Sequence, residues 1–454
     1  MVFYLEKTIK EKYVESFGSR SENLVKLSLD FPVINTKRID YGKATETREL
    51  QRMIRKLGDL DSSWRVSEMG FFAEKSFNGA QVRVGSDFRS SIIEVKLPFS
   101  NTLDGLAKNI VEVMGPIALA AERTGLGILA YGTEPLSKVN EKLIINNSKN
   151  TILRAKLNDR MPYLGLVASE KVHIRASAEE MPVVNNVLNA YSPAVISLTG
   201  NASVIRARDI GFADYRGIVT DMVDFTGRAN REENKGRRGM MVPFSSIEEY
   251  YEFMLDFKPI LTVREGKPMT YLGIHSFRDF IKKGSAEAEM VCNGKKTRIL
   301  PDIKDFYYHE RTSWTDARPR GDYGTVELAS ACMQSSVQEI IAVSALAVGL
   351  AANANEAWEH VSKYDREELS RMRRRAMTYG LSCDMLEDPV DRKLEAYALY
   401  FAERGLVKIG ERADYLDPLY INLEEFRNPG QRSAEQIRRK GFSAFMEARR
   451  VKAE

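Results

Sequence analysis

Three carboxylates interrupt apolar segments of the chain, where an unpaired charge is costly. Asp30 lies in LSLDFPV, Glu94 lies in SIIEVKLPFS, and Glu327 lies in GTVELAS. A lone carboxylate in a half-buried strand is retained when it is paired or when it binds a metal ion. Carboxylates on three separate strands are the ligands that Mg²⁺ takes, often together with phosphate. The three acids therefore predict a site for a hard cation such as Mg²⁺, with phosphate as its partner.

The densest polar segment, residues 309–327, reads HERTSWTDARPRGDYGTVE. Its arginines and acids stand among aromatic residues at a spacing that predicts strands. Counted from Glu327, Thr325 and Ala329 share one face of the predicted strand and the apolar neighbours take the other. This alternation favours a functional site, and a solvent-exposed edge strand with paired charges is the alternative.

The elements that must position these residues are strands and helices mixed along the chain. There is no strict strand–helix alternation, no Gly-x-Gly-x-x-Gly turn and no Walker A sequence, so neither a Rossmann fold nor a P-loop is indicated. The pattern predicts an α+β fold, with one large antiparallel sheet covered by helices on its outer face. Strands are predicted over residues 24–33, 91–97, 127–131, 164–175, 260–263, 306–313 and 324–330. Helices are predicted over residues 45–56, 102–123, 178–198, 246–257, 335–352, 366–379 and 391–403.

The composition is that of a soluble globular protein, with 454 residues of which 43% are hydrophobic and 29% charged. The 67 basic and 63 acidic residues leave a net charge of +4, which is too even to make nucleic acid or an anionic membrane the main partner. Cys292, Cys332 and Cys383 are too far apart for a zinc pattern or a disulfide framework. We find no signal peptide and no membrane-spanning run, and a cytoplasmic protein is expected.

The chain is expected to form one continuous body, because no internal repeat or low-complexity tract divides it. The predicted division is an N-terminal extension over residues 1–23, a main domain over 24–410 and a charged helical tail over 411–454. The segment 226–239, rich in glycine and charge, is predicted to be a mobile loop. The tail is predicted to be a surface helix that at most docks through Phe442, Phe445 and Met446.

One long stretch identifies a family. YHERTSWTDARPRGDYGTVELASACMQSSVQEIIAVSALAVGL resembles the H-E-S-S-x-W-W-D-x-R-P-x-x-x-x-G-T-x-E segment, followed by a helix, of the glutamate–cysteine ligase type 2 family. These carboxylate–amine ligases belong to the glutamine synthetase-like superfamily. SEKVHIRAS, YSPAVISLTGNASVIRARD, RRGMMVPFSSIEEYYEFML and RRRAMTYGL are similar to further family segments, so the resemblance spans about residues 24–382.

The resemblance implies a glutamine synthetase-like curved antiparallel sheet whose concave face holds ATP and Mg²⁺. ATP phosphorylates a carboxylate, by default that of glutamate, and an amine, by default cysteine, then displaces phosphate to form an amide. Phosphoryl transfer relies on metal ions and cationic side chains and asks little covalent chemistry of the protein. The partners implied are small-molecule substrates, with no nucleic acid and no membrane, and a homo-oligomer is left open.

The resemblance also assigns roles to matched positions. Glu94 and Glu327 match acids that are expected to bind metal, and Asp30 matches the second acid of an opening Glu-x-Glu. His173 matches a strand position that faces nucleotide or metal, with a satisfied core histidine as the alternative. Arg318 of Asp-x-Arg-Pro is expected to contact the transferred phosphate or the substrate carboxylate, as a catalytic and cofactor-binding residue.

Arg206 of Ser-x-Arg is a further catalytic, anion-binding candidate, with a surface ion pair as the alternative. Other matched positions depart from the family. The departures are Ser28 for the first acid of Glu-x-Glu, Ala329 and Cys332 for an arginine and an aspartate, Glu134 for the histidine of Thr-His-Pro, and Thr378 for the arginine of Arg-Tyr-Gly. They indicate either a different substrate or a catalytically divergent relative that binds a nucleotide or a partner protein. The interpretation of this chain as a nucleic-acid-binding protein would rest on charge alone.

Overall fold

The computed structural model describes residues 2–18, 25–36, 45–86, 88–157, 161–224, 237–290, 293–385 and 392–453. Most of the loop predicted over 226–239, and Cys292, lie outside these residues. The strands are β1 (Val25–Asn35), β2 (Arg65–Val66), β3 (Phe72–Phe77), β4 (Ala80–Gly85), β5 (Ile92–Lys96), β6 (Leu126–Leu129), β7 (Glu170–Arg175), β8 (Val204–Ile205), β9 (Arg208–Asp209), β10 (Arg238–Gly239), β11 (Thr262–Arg264), β12 (Lys267–Leu272), β13 (Ala286–Met290), β14 (Lys296–Ile299), β15 (Trp314–Thr315), β16 (Ala317–Arg320), β17 (Thr325–Leu328) and β18 (Arg450–Val451).

The helices alternate irregularly with these strands. They are α1 (Val2–Glu15), α2 (Thr47–Leu60), α3 (Leu103–Arg123), α4 (Ser148–Leu157), α5 (Met161–Leu164), α6 (Met181–Ala190), α7 (Ser192–Thr199), α8 (Tyr215–Asp224), α9 (Ile247–Leu255), α10 (Phe277–Lys283), α11 (Ile303–Arg311), α12 (Val337–Ala352), α13 (Ala354–Val361), α14 (Arg366–Tyr379), α15 (Arg392–Lys408), α16 (Asp417–Glu424) and α17 (Pro429–Arg449).

A ten-stranded sheet lies at the centre of the protein. From one edge its order is β16-β17-β7-β1-β5-β4-β3-β2, and the neighbouring strands run antiparallel. At the far end of β1, β6 joins the sheet through the pair Val33 and Ile128, and β18 pairs with β6 in turn. The prediction of an α+β fold with one large antiparallel sheet is confirmed.

Alternation along the central strands gives this sheet one apolar face and one polar face. On β1, Leu27 and Leu29 are fully buried in the main core, and Lys26, Ser28 and Asp30 take the alternate positions. Helices α3 and α12 pack against β1 and β7 and complete that core. The helices therefore cover the apolar face and leave the polar face for a cavity.

Helix α12 contains the longest apolar run of the sequence. As predicted, this run forms a buried helix, and every residue from Ile340 to Ala351 is buried. Among the described residues, no single helix is both long enough and apolar enough to cross a membrane.

Helix α11 lies where the sequence predicts a strand over residues 306–313. The helix begins with a capping box at Asp302, which satisfies backbone N–H groups of its first turn. Phe306, His309 and Glu310 are buried together at the three- and four-residue spacing of one helix face. The strand prediction here is wrong, because the buried face of the helix includes the polar residues His309 and Glu310 and so shows no apolar helical stripe in the sequence.

Both ends of the described chain pack on the body. Tyr13 of α1 is 0% exposed and belongs to the main core. Helix α17 kinks at Gly441, which has a φ of 79°, and the residues beyond the kink bury Phe442, Phe445 and Met446 in a second cluster. The tail thus docks as predicted and also adds strand β18, which the sequence did not indicate. The division into extension, main domain and tail stays a prediction.

Candidate active site

The polar face of the sheet forms one wall of a cavity of about 420 Å³. Ten lysines and arginines line this cavity, against four aspartates and glutamates. An excess of fixed cations in a concave space favours anionic ligands such as phosphates and carboxylates. Five of the six predicted site residues line it, namely Asp30, Glu94, His173, Arg318 and Glu327.

Strand register arranges the polar side chains in rows across the sheet. The row that we call the glutamate row runs through four strands, with each residue opposite the next: Arg318, Glu327, His173 and Lys26. The adjacent row, which we call the lysine row, runs in the same way through Lys171, Ser28, Lys96 and Arg83. Asp30 and Glu94 stand opposite each other in the next position along β1 and β5.

Glu327 is held by two arginines of β16. Its Oε1 accepts hydrogen bonds from Nε and Nη2 of Arg318 at 3.1 and 2.7 Å, and its Oε2 accepts one from Nη1 of Arg320 at 2.6 Å. Burial opposes the charge of this fully enclosed carboxylate, but the two guanidinium groups outweigh burial and hold the pKa of Glu327 well below its usual range. Glu327 is therefore an ionised anchor that fixes both arginines at the cavity wall.

His173 lies beside this anchor. Its Nε2 is 3.4 Å from Oε2 of Glu327, and its Nδ1 is 3.4 Å from the hydroxyl oxygen of Thr325. Burial lowers the pKa of His173 to about 3, against the opposing effect of Glu327. The imidazole is therefore neutral at physiological pH and offers hydrogen bonds rather than positive charge. A role of His173 in nucleotide binding stays a prediction.

Asp30 and Glu94 are bridged by Lys171. Its Nζ lies 3.0 Å from Oδ2 of Asp30 and 3.0 Å from Oε1 of Glu94. Arg89 donates two hydrogen bonds to Asp30 at 2.8 and 3.1 Å, and Nζ of Lys96 is 3.1 Å from Oε2 of Glu94. Burial disfavours the Glu94 carboxylate, but Lys171, Lys96 and Arg89 outweigh burial and hold the pKa of Glu94 well below its usual range.

The predicted magnesium ligands do not fit a metal ion in this arrangement. Lysine and arginine side chains hold the oxygens of Asp30, Glu94 and Glu327 that a metal would need. In the part of the chain that the structure describes, no group of three or more His, Cys, Asp or Glu side chains is placed to hold a metal. At an effective dielectric constant of about 20, a second cation about 4 Å from the Lys171 ammonium meets a repulsion of about 4 kcal/mol per unit charge. ATP phosphates, in contrast, suit the surplus of cations.

Arg206 is not part of the cavity, which corrects its predicted catalytic role. The residue is exposed in the two-residue turn between β8 and β9. It has a φ of 54° and Ala207 has a φ of 58°, the left-handed pair that a tight hairpin requires. The residue that resembles the arginine of the family segment therefore lies in a surface turn and does not line the cavity.

The departures from the family separate into two groups, those that line the cavity and those that do not. Beside Ala329, Nη1 of Arg216 donates to the carbonyl oxygen of residue 329 at 2.8 Å, so helix α8 brings an arginine to this part of the cavity. Cys332 is buried, and burial raises the pKa of its thiol. Glu134 accepts hydrogen bonds from two backbone N–H groups of its own loop at 3.2 and 2.7 Å. Neither Glu134 nor Thr378 lines the cavity.

Most of the cations of this cavity were not predicted from the sequence. Those with the closest contacts to the predicted acids are Arg89, Lys96, Lys171 and Arg320. A signal for two of them was present, because Lys171 precedes His173 and Arg320 follows Arg318 by two positions. On a strand, a spacing of two places side chains on the same face.

Lys26 ends the glutamate row in an unusual environment. Its ammonium lies over the ring of Tyr323, 4.1 Å from the centroid, and over that of Phe99 at 5.5 Å. Burial, together with repulsion from Lys96 and Arg320, lowers the pKa of Lys26 to about 8. The folded protein therefore carries a charge at neutral pH that burial disfavours.

Lys26→Met is expected to raise the free energy of unfolding at neutral pH by about 1–3 kcal/mol, because the methionine removes this buried charge. From about pH 8 to about pH 10.5 the folded wild type loses the proton while the unfolded chain keeps it, so wild-type stability rises and the advantage of the variant shrinks. Urea titrations across this pH range measure both effects. A stability difference that stays constant from neutral pH to about pH 10.5 would contradict the assignment.

Comparison with known sequences identifies the family. A family profile described as glutamate–cysteine ligase family 2 matches residues 38–453. The chain belongs to this family. Glutamate–cysteine ligase family 2 consists of ATP-dependent ligases, so the predicted enzyme class is confirmed. A Herpetosiphon aurantiacus protein provisionally named glutamate–cysteine ligase 2 is 23% identical over 342 residues, 73% of this chain and 74% of that one. The glutamate–cysteine ligase of Natronomonas pharaonis is 23% identical over 321 residues, 69% and 71% of the two chains.

Two solved structures resemble this chain at low sequence identity. The crystal structure of glutamate–cysteine ligase from Francisella tularensis in complex with AMP matches 94% of this chain and 87% of that one, with a TM-score of 0.56 and 10% identity. That likeness shows a common fold. A bifunctional glutathione synthetase from Pasteurella multocida matches with a TM-score of 0.49 and 10% identity over 98% of this chain and 52% of that one, so the chain spans about half the length of that enzyme.

Proposed function

We propose that the protein is an ATP-dependent ligase that joins an amino-acid carboxylate to an amine through an acyl phosphate, with glutamate and cysteine as the default pair. The observation that carries this proposal is the cation-lined cavity on the polar face of the sheet in a member of glutamate–cysteine ligase family 2. The reaction brings ATP phosphates and a substrate carboxylate together, and both are anions. A cavity in which lysines and arginines outnumber acids supports binding both at once.

The cavity supplies charge that is fixed before the substrates arrive. Glu327 orients Arg318 and Arg320, and the rigid strands of the sheet hold all three side chains. Preorganised positive groups stabilise a transferring phosphoryl group more effectively than flexible ones, because they need no rearrangement during the reaction. This arrangement supports phosphoryl transfer to a bound carboxylate.

The proposed reaction has two steps. A carboxylate oxygen attacks the γ-phosphorus of ATP, and the bond from that phosphorus to the β–γ bridging oxygen breaks to release ADP. The amine nitrogen then attacks the acyl carbon, the bond from that carbon to the phosphate oxygen breaks, and the nitrogen loses one proton. The products are an amide, ADP and orthophosphate.

Incubation with ATP, amino acids and amines is expected to yield ADP and orthophosphate in equal amounts with the amide. When the substrate carboxylate carries ¹⁸O, one labelled oxygen should appear in the orthophosphate, because the acyl phosphate contains that oxygen. Mass spectrometry of the phosphate measures this transfer, and a panel of amino acids with and without each amine identifies the substrates. AMP and pyrophosphate as products, or unlabelled phosphate, would exclude the acyl phosphate.

A second candidate function is a catalytically divergent family member that binds a nucleotide without ligation. The observation that favours it is the engagement of Asp30, Glu94 and Glu327 in ion pairs with cations of the chain. The same panel separates the two functions. Stabilisation of the fold by ATP without ADP release under any combination of substrates would favour the second candidate.

A further inference from the structure

A lysine ammonium lies between the two acids that stand opposite each other on β1 and β5. Nζ of Lys171 is 3.0 Å from an oxygen of Asp30 and 3.0 Å from an oxygen of Glu94. Two hydroxyl groups complete the surroundings, since Ser169 donates to Asp30 at 2.8 Å and Ser28 donates to Glu94 at 2.8 Å. The ammonium thus has two carboxylates from separate strands as neighbours, and carboxylate oxygens are the ligands that a divalent cation prefers.

Cations of the chain already outnumber the two acids of this pair. Asp30 and Glu94 carry two negative charges, and Arg89, Lys96 and Lys171 bring three positive charges into contact with them. A divalent ion at the same oxygens would add two more positive charges next to the ammonium. Repulsion between these cations opposes its binding, because the site is largely screened from water.

Ser28 and Lys171 are linked by strand register. They stand directly opposite each other on β1 and β7, and Ser28 is the position at which the family resemblance expects an acid. A neutral serine at position 28 and the ammonium of Lys171 opposite it both make the pair less able to hold a metal ion.

We propose that the ammonium of Lys171 replaces a divalent cation at the Asp30–Glu94 pair, so that this end of the cavity receives an anionic ligand without a bound metal ion. The side chain of Lys171 is 19% exposed and lines the cavity, so its charge is available to a ligand there. The inference concerns the cavity of the proposed function. Its test requires no turnover, so the two proposals can fail separately.

Lys171→Met tests the replacement through metal rescue. Methionine keeps much of the volume of lysine but leaves two buried carboxylates with fewer partners, and the melting temperature is expected to fall by about 5–10 °C. Millimolar MgCl₂ or MnCl₂ is expected to recover at least half of this loss in the variant and to leave the wild type unchanged, because a ligand that binds only the folded state stabilises it.

Lys96→Met is the matched control, because it removes a cation from the same Glu94 and leaves Lys171 in place. We expect no metal-dependent recovery in this variant. The double variant Lys171→Met with Asp30→Asn should also show no recovery, since one of the two carboxylates is gone. If Lys171→Met is not rescued by either metal ion, or if Lys96→Met is rescued equally, the inference is wrong.

A direct binding measurement covers the case in which Lys171→Met does not fold. Electron paramagnetic resonance of Mn²⁺ with the nucleotide-free wild type is expected to show no bound ion that depends on Asp30. The comparison variant is Asp30→Asn. Wild-type binding at millimolar Mn²⁺ that disappears in Asp30→Asn would place a metal at the acid pair and overturn the inference, and equal spectra for both proteins would support it.

Discussion

Replacement of Glu327 by glutamine is expected to lower the free energy of unfolding by about 3–5 kcal/mol, because it leaves two buried arginines without their shared anion. Glu327 is 0% exposed, and Arg318 and Arg320 are each 8% exposed. Three hydrogen bonds of 2.6–3.1 Å join them. Denaturant titration of both proteins measures the difference.

The depressed pKa of Glu327 also predicts how the stability of the protein changes with pH. Because the pKa of Glu327 is depressed in the folded state, its contribution to stability is fully present above the unfolded pKa of about 4.3 and is lost as the pH falls towards the folded pKa. The glutamine variant has no such group, so the difference in free energy of unfolding between the wild type and Glu327→Gln should narrow in acid. The control is Asp414→Asn, which removes an exposed partner of Arg412 and should change stability little. A Glu327→Gln protein as stable as the wild type would contradict the anchoring role.

Arg318→Lys is expected to lower kcat of the proposed ligase by about a hundredfold, although the charge is kept. Arg318 binds Glu327 through two N–H groups and also donates to the carbonyl oxygen of Ser313. A lysine has no planar fork and can satisfy only part of this set, so its ammonium would not keep the orientation of the guanidinium. Steady-state kinetics with saturating substrates measure the loss.

Arg206→Lys provides the matched control for that experiment. Sequence motifs assign anion binding to both arginines, but Arg206 lies in an exposed hairpin turn outside the cavity. The control is expected to keep wild-type kcat and KM. Equal losses in the two variants would contradict the placement of the site, and full activity of Arg318→Lys would remove that residue from the chemistry.

The sequence predicted the elements whose residues follow one strong local pattern. Strands β1, β5 and β17 carry apolar residues at alternate positions, and α12 is a long apolar run, so local hydrophobic patterns predict all four. Helix α11 was missed because its buried residues include His309 and Glu310, and polar residues hide a helical stripe from any hydrophobic pattern. The sheet order also required information from strands that are distant in the sequence.

The sequence predicted several residues that line the candidate cavity, but it did not predict the electrostatics there. Asp30, Glu94 and Glu327 line the cavity, as their placement in apolar strands suggested. Their partners depend on which strands are neighbours, and the closeness of Lys171 to Asp30 follows from the β1–β7 register. The spacing of residues within one segment does not reveal which strands pair or in what register. Family motifs likewise describe single segments rather than pairs of strands.

The pairing of β6 with β18 has a consequence for biosynthesis. β6 lies between β1 and β18 in the sheet, and β18 follows β6 by more than 300 residues in the sequence. At about 5–20 residues per second, ribosomes leave the edge of β6 unpaired for on the order of tens of seconds after its own synthesis. An unpaired strand edge is a site for aggregation, and the docking surface for Phe445 is exposed over the same period. Chaperone capture of nascent chains should therefore persist until β18 has left the ribosome.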